Sequence, residues 1–290
     1  MKRDSPRVSP AGFAPAYAGA GMGTRWKALQ LLRLLPALAA ALLFAPRTFA
    51  LSPDLQIRQL YHTAWTAAEG APTGVEFMAQ TSDGYLWIAA AAGLFRFDGI
   101  RFERIDSIRG RRLPSSNVLT LHAPRTGGLW IGYRFGGATF VKGSAVTNYA
   151  AQEGLGDGSV TRFAQDRTGN VWASTSRGLK RFDGVYWHDA RETYNLPSEY
   201  VKSVHVSRDQ TVWIVIGREV MNMRPGQNVF VPTGIGTSEA DTEFIEAPDG
   251  RLWLTDSRLG VRAVIDRDGE VQAASGWTAI HDERRQPLWG

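Results

Sequence analysis

Five segments of this 290-residue chain carry a tryptophan in the same setting: DGYLWIA (83–89), TGGLWIG (126–132), TGNVWAS (168–174), DQTVWIV (209–215) and DGRLWLT (249–255). The tryptophans fall at 87, 130, 172, 213 and 253, at intervals of 43, 42, 41 and 40. A period this regular restricts the chain to architectures in which one unit of about forty residues is copied and each copy buries its apolar face against the next. The runs leading to each tryptophan (GVEFMAQTSDG, NVLTLHAPRTGG, SVTRFAQDRTGN, YVKSVHVSRDQT, DTEFIEAPDG) alternate and end in a turn. A tight turn and a second run follow, as in GLFRFDG (93–99), GATFVKG (137–143), GLKRFDG (178–184) and GVRAVIDRDG (260–269), and then a last short strand such as IRFERI (100–105). Asp-Gly and Gly-X pairs supply the positive-φ residues of short hairpins, so the runs read as antiparallel strands.

Four such strands repeating at this period predict an all-β chain built as a β-propeller. Blades are expected at about 75–107, 118–149, 160–190, 201–231 and 242–276. WTAIHDERRQPLWG (277–290) reads as the start of a sixth, with Trp289 at an interval of 36, and IRQLYHTAWT (57–66) as a strand that closes the last blade. The ring is then incomplete. Trp87, Trp130, Trp172, Trp213 and Trp253 are expected to fill the space between neighbouring sheets, at ~2–3 kcal/mol for each indole buried. Three linkers, RLPSSNV (112–118), GLGDGSV (154–160) and NLPSEYV (195–201), set turns between blades.

Charge narrows the function classes. Residues 1–50 hold seven of the 33 Lys and Arg and one of the 28 Asp and Glu, so the net +5 of the chain resides in this leader and the body is near neutral. A near-neutral body lacks the electrostatic footprint of a nucleic-acid binder. The leader itself, TRWKALQLLRLLPALAAALLFAPRTFA from Thr24, has a basic start, an apolar stretch over Leu34–Ala45 and small residues near Ala50. It reads as a secretory signal cleaved after Ala50, with Met22 an alternative start. The apolar run is shorter than the ~20 residues of a spanning helix. The chain has no cysteine, which excludes thiol chemistry and Cys-based metal sites and leaves an exported fold to rely on its core.

The stretch YHTAWTAAEGAPTGVEFMAQTSDGYLWIAAAAGLFRFDGIRFERI, the LPS-type linkers and the recurring LW-I/A pattern resemble the two-component regulator propeller repeats of bacterial sensor histidine kinases, over essentially all of 57–290. The resemblance implies a periplasmic sensing propeller in a membrane-anchored protein. It further implies a β-sandwich, a transmembrane helix and kinase modules downstream, and it leaves a dimeric full-length form open. No phosphoacceptor histidine in a helical hairpin and no ATP lid is visible, and GAGMG (19–23) lies in the leader, away from any strand-to-helix turn.

Two constellations are candidate ligand sites. Arg134, Arg177, Arg218 and Arg258 follow their tryptophans by four or five residues, which places them on one rim, either as an anion-attracting ring or as turn residues paired with local acids such as Asp256 and Glu219. His122, His205 and His281 each precede a tryptophan by eight residues, and Glu246 matches them if repeat five has lost one residue. Metal binding requires donors ~2 Å from one ion, a convergence that residues on non-adjacent blades around a channel seldom reach, so these residues read as lining a wet channel or pairing with neighbours, with no metal and no cofactor. His62 and His188 have no counterparts. Tyr149, Trp187 and Tyr194 near the linkers either stack on a sugar ring or close blade edges. The expected partner is an extracellular or periplasmic ligand, an oligosaccharide among the candidates, and the expected role a sensory binding module without catalytic activity. A propeller lyase acting on polysaccharides or lactones, and a noncatalytic interaction platform, are the alternatives.

Overall fold

In the computed structural model of the chain, residues 63–197, 200–265, 270–271 and 276–279 are described. The leader, most of the 57–66 segment and residues 280–290 lie outside them. The strands form where the alternating runs predict them. Blade one is β1 (Val75–Gln80), β2 (Leu86–Ala90), β3 (Gly93–Phe97) and β4 (Phe102–Ile105), followed by a small hairpin, β5 (Ser107–Ile108) and β6 (Arg111–Arg112). Blade two is β7 (Val118–His122), β8 (Leu129–Tyr133), β9 (Ala138–Lys142) and β10 (Ala145–Tyr149). Blade three is β11 (Val160–Gln165), β12 (Val171–Thr175), β13 (Gly178–Phe182) and β14 (Trp187–Asp189), and a helical turn, Ala190–Tyr194, leads out of it. Blade four is β15 (Val201–Val206), β16 (Val212–Ile216), β17 (Glu219–Met223) and β18 (Val231–Gly236). Blade five has β19 (Thr242–Glu246), β20 (Leu252–Asp256) and β21 (Gly260–Ile265). Each sheet is an antiparallel meander, and the first strands of successive blades pack side by side as the inner wall of a β-propeller.

One register runs through all five blades. Trp87, Trp130, Trp172, Trp213 and Trp253 pair with Ala79, His122, Ala164, His205 and Ile245 of the first strand. Paired residues share a sheet face, and in blades one to four that face meets the next blade. Trp130 stacks on Phe140 of its own blade at 4.5 Å and reaches Phe163, Phe182 and Trp187 of blade three. Trp172 packs with Tyr194 and with Phe230 of blade four, and Trp213 with Leu252 and Leu254 of blade five. Trp87, Trp130, Trp172 and Trp213 therefore hold the expected inter-blade positions. Trp87 and Trp253 are only half-buried.

The linkers place a leucine at each junction: Leu155 and Leu196 are buried and Leu113 is partly buried, each in the cluster between two blades. Their spacing, 42 and 41 residues, follows the tryptophan period. The linkers thus contribute core as well as turns.

One expectation about the ends changes, and the closing strand at 57–66 lies mostly outside the described residues. Residues 277–279 do not begin a new innermost strand: Thr278 and Val261 exchange both backbone hydrogen bonds, 2.8 Å each, so this segment lies against the third strand of blade five. The turn glycine explains the seat. A Cβ on Gly137 (φ +85°) would meet the Tyr149 carbonyl oxygen that ends β10, and a Cβ on Gly260 (φ +105°) would meet the Thr278 carbonyl oxygen in the same way. Thr278 thus occupies in blade five the place of Tyr149 in blade two. At the other end, residues 63–66 belong to no strand; Thr66 caps the turn Ala67–Glu69, its backbone N–H donating to Glu69 at 2.7 Å.

Candidate functional site

The hairpins between first and second strands gather at one end of the inner wall, and there blades two to five enclose a cavity of about 440 Å3. His122 and Gln165 line it from blades two and three, His205 from blade four and Glu246 from blade five. The alternation of strand side chains decides which of these meet. His205 shares the face of Trp213 and so points at blade five, where its ring lies 6.2 Å from that of Phe244. Glu246 pairs with Leu252, one position away from Trp253, and so points back at blade four. His205 Nε2 and Glu246 Oε2 stand 3.4 Å apart, without the alignment of a hydrogen bond. The sequence equivalence of Glu246 with the histidines is off by one residue. All five hairpins span six residues from their first turn residue to the tryptophan, for example Ser207 to Trp213 and Ala247 to Trp253, so repeat five has no deletion there and Ile245 is the true counterpart. That offset is what brings the carboxylate to the imidazole.

His122 faces blade three, and its Nε2 is buried without a hydrogen-bond partner. Burial pulls its pKa down to about 4, because the imidazolium would lose its hydration with no counter-charge to replace it. Burial also lowers His205, against the opposing pull of Glu246. Among the described residues no three metal-ligating side chains converge, and His281 and His62 lie outside them. His188 is exposed and bonds Asp183 at 2.7 Å, away from the cavity.

Below the cavity the axis is crossed. Arg162 on β11 bonds Glu243 on β19 at 2.6 Å, and its guanidinium lies 4.8 Å from the ring centroid of Phe77 on β1. Inner strands of blades one, three and five thus meet around one side chain, a convergence of non-adjacent blades that the sequence reading set aside. Burial lowers the pKa of Arg162, against the pull of Asp241, Tyr200 and Glu76.

Arg134, Arg177, Arg218 and Arg258 do occupy equivalent exposed turns, but at the opposite end of the strands from the cavity. Arg134 donates to Asn117 Oδ1 at 3.3 Å and Arg177 lies 3.6 Å from Asp157. Arg258 meets the expected acid through its backbone N–H, which donates to Asp256 at 3.0 Å. Tyr149 and Trp187 pack on Trp130 and Tyr194 on Trp172, so all three lie at blade junctions, Trp187 buried and the two tyrosines half-buried. The sequence reading passed over a second arginine series, Arg125, Arg167 and Arg208, at the second residue of three consecutive turns that line the cavity. Their spacing of 42 and 41 was the available signal. These turns are also tied together: Arg167 donates to Gln210 Oε1 and to the Arg208 carbonyl, and Arg208 to Glu246 Oε1 and the Pro248 carbonyl.

Residues 154–177, the linker and first hairpin of blade three, match the family model of the two component regulator propeller. The chain carries a two-component regulator propeller repeat. Among solved structures it is similar to virginiamycin B lyase from Staphylococcus aureus, at 15% identity and a TM-score of 0.56, over 73% of this chain and 72% of that one. It is also similar to the extracellular domain of the hybrid two component system BT3049 from B. thetaiotaomicron, at 15% identity and a TM-score of 0.50, over 78% of this chain. The extracellular domain of the one component system BT4673 from the same organism matches at 17% identity and a TM-score of 0.51, over 74% of this chain. The chain spans 38% and 34% of the length of those two sensor domains. At these identities the likeness is one of fold. No curated protein matches the sequence. Among the described residues no helix is long and apolar enough to cross a membrane.

Proposed function

We propose that this regulator propeller is the extracytoplasmic ligand-binding part of a two-component sensor, and that its ligand occupies the cavity at the hairpin end of the inner wall. The observation that carries this reading is the polar lining: His122 Nε2 is buried and unpaired, and His205 and Glu246 face each other without a formed hydrogen bond. Buried polar atoms without partners cost stability, and a bound ligand satisfies them. The matching repeat and the two similar sensor domains favour signalling from outside the cytoplasmic membrane. The test is a thermal-shift screen of sugars, sugar acids and small metabolites on the exported chain. A ligand at 100 times its Kd adds about 2.7 kcal/mol, and the shift should vanish in His122→Phe, which removes the buried imidazole nitrogen that the ligand would pair with. Ligands whose effect survives His122→Phe and His205→Phe place the site elsewhere.

A lyase reading has one observation in its favour, the imidazole–carboxylate pair of His205 and Glu246 in a cavity. Recovering every hit chemically unchanged after long incubation opposes it; conversion abolished by Glu246→Gln supports it.

A further inference from the structure

The cavity has a charge pattern that goes beyond its shape. Its rim turns carry Arg125, Arg167 and Arg208 at one repeated position, where blades one and five have Ser82 and Pro248. Two acids stand among the lining residues. Asp166 is consumed by its own turn: Oδ1 accepts from the Thr168 and Asn170 backbone N–H groups and the Thr168 hydroxyl, and Oδ2 accepts from Asn170 Nδ2. Glu246 accepts from the Arg208 backbone N–H and lies 4.0 Å from its guanidinium. Arg167 spends one side-chain donor on the Arg208 carbonyl. Arg125 is exposed, and its guanidinium forms no hydrogen bond or ion pair with the described residues. Two guanidinium groups therefore present unused donors over a cavity whose floor holds an unpaired, buried imidazole nitrogen.

We infer that the cavity takes a small organic anion, its carboxylate held at the mouth by Arg125 and Arg167 and its uncharged hydroxyl-bearing end hydrogen-bonded by His122 and His205. This rests on the cavity being the ligand site. Guanidinium forks match carboxylate oxygens in pairs, and the histidines, neutral through burial, offer one donor and one acceptor each, which suits hydroxyls. At about 440 Å3 the space is of small-molecule size.

The test sets carboxylates against their uncharged amides, with malate and malamide, and gluconate and gluconamide, as probes at matched ionic strength, and sulfate against chloride as a minimal anion. Melting temperature and the arginine Nε–H and histidine side-chain NMR signals are read. The expected result is that at least one acid binds better than its amide, that Arg125→Ser weakens it roughly tenfold, and that Arg125→Lys recovers part of the loss. Arg125 is a surface residue without partners among the described residues, so its replacement should leave the fold intact. Amides binding as well as acids, acids indifferent to Arg125→Ser, or no anion binding at all would each overturn the inference. An amide that binds and is lost in His122→Ala removes the anion while keeping the cavity as the site; probe signals that map away from the cavity remove both.

Discussion

Trp130 shows how much one side chain contributes here. It is 1% exposed, and aromatic rings of its own and the next blade surround it, so truncation removes contacts from two sheets at once. Trp130→Ala should cost about 3–5 kcal/mol, whereas Trp253→Ala, at a half-buried indole, should cost less than half of that in the same urea unfolding series. His122 makes a second prediction at this scale. Its folded pKa of about 4 lies below the ordinary value of 6.5, so the unfolded chain binds the proton first as pH falls. Its neutral form therefore supports the fold fully above pH 6.5, and that support is lost progressively toward pH 4. His122→Gln should flatten the decline in melting temperature across this window; an unchanged decline would show that His122 ionises freely in the folded protein. Asp256 is also held low, but by a different cause. Burial pushes its carboxyl up, but hydrogen bonds from Ser238, Arg258 and Leu259 outweigh burial and hold it below the usual carboxylate range.

Among the elements, the linkers and turns do more than join strands. Leu155, 1% exposed, sits with Trp130 and Trp187 in one cluster, which fixes the third blade against the second. Leu155→Ala should cost about 2–5 kcal/mol and should loosen blade three first, seen as faster amide exchange in β11 and β14 than in β16. Gly137 is a turn where side-chain atoms have no room: at φ +85° its Cβ would strike the Tyr149 carbonyl oxygen. Gly137→Ala should therefore be among the most damaging single-methyl changes in the chain, while Gly127→Ala, at φ +83° with nothing within 4 Å, should cost only its backbone strain of about 1 kcal/mol. Equal losses in urea unfolding for the two would contradict the close approach of β9 and β10. Much of this scale was legible beforehand. Turn glycines and apolar alternation predict the strands of each described blade because hairpin formation depends on residues adjacent in the chain.

At the scale of the molecule, the inner wall is held by a contact between blades two repeats apart. Arg162 and Glu243 are 81 residues apart in sequence and partly buried, 21% and 31% exposed in their side chains. Removing one partner leaves the other charge poorly solvated, whereas replacing both does not. Glu243→Gln should thus destabilise more than the double change Glu243→Gln with Arg162→Met, and a double-mutant cycle with no coupling would remove Arg162 as a tie across the axis. The innermost strand of blade one, β1, has no buried residue, whereas β7, β11 and β15 do, because no described residue covers its far face. Recurrent tryptophans and turns alone determine that this chain builds antiparallel blades in series, since both signals act within about forty residues. Only the tertiary structure decided that Glu246 meets His205, that Arg125, Arg167 and Arg208 rather than the opposite series ring the cavity, and that residues 277–279 lie against blade five. Those outcomes depend on which face of one blade is turned toward the next, and a shift of one residue in a strand reverses that face.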